Sequence, residues 1–243
     1  MKATAFEFRH RLWFILAIYV LGFVAPWNAV VRVDGHGPNA HVWGLLAVLL
    51  AQHGLNFGAA FNVVLAAAIA IGLAGAWVRT WGSAYLGAGV MRDENLRGDG
   101  VVADGPYRYL RNPLYVGSWL FTVLLALLMP PSGAIFCVVA LAVFQIRLIL
   151  GEEAFLAEKL GAPYVDYCAQ VPRIVPSLRA RVASSGARPR WGEALLAEIM
   201  MWGVLASFAV VGWKYNVLLL DQCVLVWLGV SMVVRAFGKD SLR

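Results

Sequence analysis

Two short stretches of this chain concentrate side chains able to do chemistry. The first, residues 100–117, reads GVVADGPYRYLRNPLYVG and holds two Arg, three Tyr and one Asn among three Gly and two Pro. Guanidinium and phenol groups donate hydrogen bonds, so such a cluster suits a polar or anionic small molecule. The second, residues 151–176, opens on the adjacent carboxylates Glu152 and Glu153 and continues AFLAEKLGAPYVDYCAQVPRIVP. Carboxylates suit a cationic or hydroxyl-rich ligand. Neighbours on a helix point about 100° apart, so the two cannot form one clamp.

Each cluster also has a plainer reading. Asp104-Gly105-Pro106 marks a turn. Asn112 before Pro113 is a favoured helix start, with Asn as N-cap and Pro at the first helical position. Arg108 and Arg111 can anchor in lipid headgroups, and Tyr107, Tyr109 and Tyr115 can form an aromatic belt. Glu152 and Glu153 can be solvated charges opening an amphipathic surface helix. Arg147 lies near the same interface, where it can neutralise a carboxylate, hold an anionic substrate, or snorkel. What the plainer readings leave unexplained is the density of such groups beside one membrane surface.

A membrane must position these residues. Of the 243 residues 61% are hydrophobic and 14% charged, a balance no water-soluble core of this size can hide. About 20 apolar residues are needed to cross the hydrocarbon core. Candidate spans are 12–31, 60–81, 194–212 and 216–236, and 113–150 is long enough for two helices. Pro130-Pro131-Ser132-Gly133 divides it into a hairpin, 113–129 and 133–150. Residues 41–52 are apolar but short, and are expected to lie in the interface. The fold class expected is therefore all-α: a polytopic membrane helix bundle of about six transmembrane helices, one short interfacial helix and a central helical hairpin.

Charge sets the expected orientation. With the N-terminus inside, the inner segments and helix ends hold 18 of the 20 Lys and Arg, leaving only Arg32 and Lys214 outside. Seven crossings would put the basic N-terminus outside, against the positive-inside rule. The first apolar run is too long for a typical signal peptide and no small-residue cleavage site follows, so it reads as a retained anchor. The +6 formal charge sits in short runs flanking apolar stretches, which points to membrane and not to nucleic acid. Cys137, Cys168 and Cys223 are far apart with no CxxC, so neither a disulfide nor a metal site is expected. The chain divides into N-terminal helices (1–81), a core carrying both clusters (82–178) and a linker with a C-terminal helix pair (179–243). Residues 179–192, RARVASSGARPRWG, read as a flexible basic linker.

GVVADGPYRYLRNPLYVG, an apolar hairpin, then GEE…LGAPYVDYCAQVPRIVP resembles the isoprenylcysteine carboxyl methyltransferase family and the related phospholipid methyltransferases. The likeness covers about 100–176. It implies S-adenosylmethionine bound at the cytoplasmic ends of the hairpin helices. Val101, Val102 and Tyr107 match the loop lining the cofactor, with Asp99 and Gly100 at its edge and Arg111 beside it. Asn112, Pro113, Leu114 and Tyr115 match the cofactor contacts at the start of the hairpin. Glu152 matches a carboxylate that contacts the cofactor, and Glu153 is its neighbour. Arg147 lies one residue from the family's substrate-binding arginine; Asn112 and Arg147 are the candidate catalytic residues. Tyr164, Tyr167 and Arg173 match the downstream pattern. The family's histidine is Asn112 here, which keeps hydrogen-bonding capacity but cannot titrate.

The expected activity is methyl transfer to a lipid-like or isoprenoid-type acceptor in the membrane. Alignment of donor and acceptor is then the main task. A carboxylate acceptor needs no base, whereas an amine must lose a proton. Two other readings compete. An NADPH-dependent sterol-type or enone reductase shares a similar helical core. A non-catalytic scaffold or transporter is the third. Against transport, the spans hold few ionisable residues: inner-end Arg79 and Arg147, and outer-facing Asp221. The acceptor's identity and the oligomeric state are not written in the sequence.

Overall fold

A computed structural model describes residues 2–24, 41–86 and 101–240, with side chains as far as Phe237. All regular structure among them is helical: α1 (Ala5–Arg9), α2 (Arg11–Val24), α3 (Val42–Gln52), α4 (Phe57–Leu86), α5 (Pro113–Ala126), α6 (Pro131–Leu160), α7 (Ala162–Gln170), α8 (Trp191–Ala197), α9 (Ile199–Val211) and α10 (Val217–Asp240), with 3₁₀ turns at Gly105–Arg108 and Gly212–Lys214. Three helices are long and apolar enough to cross a bilayer: α4, α6 and Val217–Phe237 of α10. The broken pair α8 and α9 makes a fourth candidate.

Several expected boundaries move. The first expected span is helical to Val24, and its remainder, 25–31, lies outside the described residues. The hairpin's first helix stops at Ala126, and its second starts at Pro131 and runs on to Leu160. Glu152 and Glu153 therefore extend a membrane helix instead of opening a separate surface helix. The reason is local: AFLAEKL is rich in helix formers. The stop comes at Gly161, whose φ of 65° is cheap only for glycine. The expected 194–212 span is interrupted at Glu198, where φ −104° and ψ 17° depart from helix.

The chain forms two compact units, each built from three segments. One comprises Ile15–Ala76, Trp119–Leu141 and Ile199–Arg243. Its core holds Trp43, Leu65, Leu124, Leu128, Val204, Phe208 and Leu220. The short helix α3 is fixed at the hairpin turn. Val42 N–H donates to the Met129 carbonyl at 3.0 Å and Trp43 N–H to that of Leu127 at 3.1 Å. His41 Nδ1 lies 2.8 Å from the Leu128 carbonyl. The end of one helix and the beginning of another thus satisfy each other's orphaned backbone groups. At 11 residues, α3 is about 16 Å long, half the hydrocarbon thickness.

The other unit comprises Met1–Phe14, Trp77–Ser118 and Ala142–Glu198 and contains both sequence clusters. A buried ion pair organises its centre. Arg79 Nε on α4 donates to Glu198 at 2.6 Å, and Ser83 Oγ donates to the other Glu198 oxygen at 2.7 Å. The same guanidinium reaches α5, where Nη1 donates to the Leu114 carbonyl at 3.1 Å and to Ser118. Glu198 is 3% exposed and Arg79 23%. Breaking such a pair strands a buried charge, at a cost of roughly 3 kcal/mol. Glu198→Ala is therefore expected to lower the thermal unfolding midpoint clearly in detergent or nanodiscs, and Glu198→Gln to lower it less.

Candidate functional site: a carboxylate- and phenol-lined cavity

The site begins at a turn. Gly105 has φ 57°, and a Cβ there would collide with the Tyr85 ring, so position and neighbour both require glycine. Pro106 follows, and Tyr107, Tyr109 and Leu110 close a 3₁₀ turn through N–H bonds to Asp104 and Pro106 carbonyls at 2.9–3.1 Å. Asp104 is buried. Its carboxylate accepts from the Ser184 and Ser185 hydroxyls and from the backbone N–H groups of Ser185 and Ala187. Those hydroxyls, more than the backbone amides, hold its pKa down to about 2.

The segment expected to be a flexible linker is bonded along this turn. Arg111 N–H donates to Pro172, Ser177 N–H to Tyr109 and Arg181 N–H to Arg108, each at 2.9 Å. Arg108 Nε donates to the Val182 carbonyl at 2.9 Å. Trp191 stacks on Trp77, with ring centroids 5.8 Å apart. Residues 171–190 are thus a strap laid against the Tyr-Arg turn. Arg108, read from sequence as a possible headgroup anchor, is spent on this strap.

Beyond the turn, Asn112 stands just before α5. Its Nδ2 donates to Glu153 at 3.2 Å and to the Arg173 carbonyl at 3.1 Å. Glu153 is 9% exposed and also receives Arg173 at 2.8–2.9 Å, with Arg111 Nε 3.5 Å away. Glu152, one residue earlier on α6, accepts a hydrogen bond from Tyr115 at 3.1 Å. Among the described residues Glu152 is held by a phenol and by no ion pair. The adjacent carboxylates thus point to different partners, as helical spacing dictates.

These groups surround a cavity of about 400 Å³, within the ~300–1,000 Å³ of small-molecule sites. Of the sequence candidates, Val101, Val102, Tyr107, Arg111, Asn112, Pro113, Leu114, Tyr115, Glu152 and Glu153 all line it. Gly100 lies outside the described residues, as does Asp99. Arg147 is not in the lining. It holds Glu7 of α1, with Nη2 at 2.9 Å from both carboxylate oxygens. Tyr164 and Tyr167 line the cavity too, as do Leu86 and Leu156. Tyr167 donates to the Tyr107 carbonyl at 2.8 Å, fixing the loop against α7.

Among the described residues, two buried polar atoms at the cavity have no hydrogen-bond partner: the Tyr107 hydroxyl and Arg111 Nε, which lies 3.5 Å from Glu153. Burial first, and the charge of Glu152 second, push the Tyr107 phenol well above its ordinary pKa, so it stays a neutral donor. Orphaned donors beside a cavity are what a bound ligand would satisfy.

A helical membrane protein with a carboxylate- and phenol-lined small-molecule cavity is thus defined by fold and site. Residues 62–162 match the phospholipid methyltransferase family. The match takes in most of α4 and stops before Tyr164, Tyr167 and Arg173. Nothing among curated proteins or solved structures matches the chain.

The Arg79–Glu198 pair was not legible as a site feature. A lone Arg in one apolar run and a lone Glu in another, 194–212, was the available signal, since opposite charges in membrane helices seek each other. The Asp104 clasp gives a pH prediction. The folded pKa lies below the ordinary 3.8, so the clasp is at full strength above about pH 4 and is lost as pH falls through about 2. Asp104→Asn is expected to reproduce that loss at neutral pH. Hydrogen exchange at the Ser177 and Arg181 amides should then accelerate, by roughly tenfold for a loss near 1 kcal/mol.

Proposed function

We propose that the cavity binds S-adenosylmethionine and that the protein transfers its methyl group to a lipid-like acceptor carrying a carboxylate. The observation that carries this is convergence. Positions from the Tyr-Arg turn and from the twin-Glu helix, which resemblance alone assigned to one cofactor, line one cavity with orphaned donors and a carboxylate that forms no ion pair among the described residues.

The residues fit such a cofactor. Glu152 offers negative charge to a cationic group, while Glu153 is already neutralised by Arg173 and Arg111. Arg111 Nε and the Tyr107 hydroxyl offer donors to the ligand's own oxygens or nitrogens. The rings of Tyr107, Tyr115, Tyr164 and Tyr167 supply flat walls and exclude water. When bound, the cofactor supplies an electrophilic methyl on a sulfonium, so the chain's task is alignment. Asn112 cannot remove a proton, and its amide nitrogen is committed to Glu153 and the Arg173 carbonyl. An acceptor that arrives already ionised, such as a carboxylate, suits this site better than an ammonium group. The aliphatic lining of Leu86, Leu114 and Leu156 suits an acceptor with an apolar chain. The expected working position is at the cytoplasmic face.

Calorimetric titration with S-adenosylmethionine and S-adenosylhomocysteine tests the reading, with NADPH as the contrasting ligand. Glu152→Gln is expected to weaken binding of the adenosyl ligands by roughly ten- to a hundredfold, the value of a charge-assisted contact. Tyr107→Phe removes a hydroxyl with no protein partner. It should leave the unliganded thermal midpoint unchanged and weaken binding by roughly three- to tenfold. Wild-type protein that binds NADPH and neither adenosyl ligand would overturn the proposal.

A further inference from the structure

The outer side of the strap is built for a different contact. Residues 171–190 contain five Arg and no Asp or Glu. Three large apolar side chains stand out from the same stretch: Leu178 is fully exposed at 101%, Val175 at 76% and Ile174 at 39%. This display is not a loose end. Ser177 N–H and Arg181 N–H, on either side of Leu178, are bonded to the Tyr109 and Arg108 carbonyls. The backbone is fixed, and the side chains are held outward.

Arg173 is drawn inward to Glu153, and Arg190 lies 3.6 Å from Glu193. Arg179 and Arg188 are exposed and form no ion pair among the described residues. A surface that pairs projecting aliphatic groups with positive charge and excludes negative charge fits an anionic lipid leaflet. Apolar groups enter the acyl boundary while guanidiniums meet phosphates. Chain continuity puts such a leaflet within reach, because the strap lies between two candidate membrane spans, α6 and the broken α8–α9 pair.

We propose that the strap docks on anionic phospholipid headgroups, with Leu178 and Val175 inserted and Arg179 and Arg188 on phosphate. The inner side of the same strap supplies Arg173 to Glu153, so this docking would hold one wall of the cavity against the membrane. It does not depend on methyl transfer, and its test reads lipid contact alone.

The protein, with Cys168 and Cys223 replaced by Ser and a nitroxide on Leu178→Cys, is placed in nanodiscs. One set is phosphatidylcholine alone and the other contains about a third phosphatidylglycerol, enough to give the negative surface potential such contacts need. Accessibility to oxygen and to an aqueous nickel chelate is compared. The expected result is a severalfold higher oxygen-to-nickel ratio in the anionic discs, falling back in Arg179→Gln/Arg188→Gln. As a check with all native cysteines in place, a benzophenone amino acid at 178 should capture phosphatidylglycerol on irradiation, detected by mass. A label that stays open to the nickel chelate in anionic discs would overturn the proposal. So would equal ratios in both lipids, or failure of the benzophenone to capture lipid.

Discussion

The site depends on the buried carboxylate of Glu153. It sits on the membrane helix α6 and gathers Asn112 from the start of α5, Arg173 from the strap and Arg111 from the Tyr-Arg turn. A carboxylate buried without such partners would be very costly, so the burial itself demands that these segments close around it. Each partner brings something else. Asn112 fixes the first turn of α5, which carries Leu114 and Tyr115. Arg173 brings the strap, and with it the backbone bonds that hold the turn. The cavity wall is what remains when these demands are met together.

Its neighbour Glu152 shows how one step along a helix separates two roles. Rotated by about 100°, it accepts a hydrogen bond from the Tyr115 hydroxyl and forms no ion pair among the described residues. One carboxylate is bound by two arginines and an amide, the other by a phenol beside the cavity. The pair is informative because it is a pair: a single glutamate here would have to choose between stabilising the fold and meeting a ligand.

Much of this was legible in the sequence. The apolar runs and the proline break declared the helices, and the family resemblance named twelve of the residues that line the cavity before any geometry. Helix ends were less legible, because GEEAFLAEKL carries helix propensity through what its charges suggested was a boundary. The second half of the strap, from Arg179, was misread as flexible for a physical reason. Most of its ties are backbone to backbone or run from Asp104 to two serines, and these leave neither a periodic pattern nor a conspicuous residue type. The partner of Arg147 was not legible, because Glu7 lies far away in the chain and belongs to a capping box that is itself local. Pairings of that kind are set by tertiary packing, which no spacing rule reports.

The two 30-residue helices, α4 and α6, are each about 45 Å long, against a hydrocarbon layer of about 30 Å. Each rod therefore outlasts the oil by some ten residues. Ser83 and Leu86 lie near the end of one rod and Glu152, Glu153 and Leu156 near the end of the other. The residues these helices give to the cavity thus come from their last ten or so positions, beyond the length the hydrocarbon requires. A thicker or thinner bilayer would tilt such helices, at a fraction of a kcal/mol per ångström of mismatch. Membrane thickness thereby becomes a variable that the cavity-bearing ends of both helices would feel.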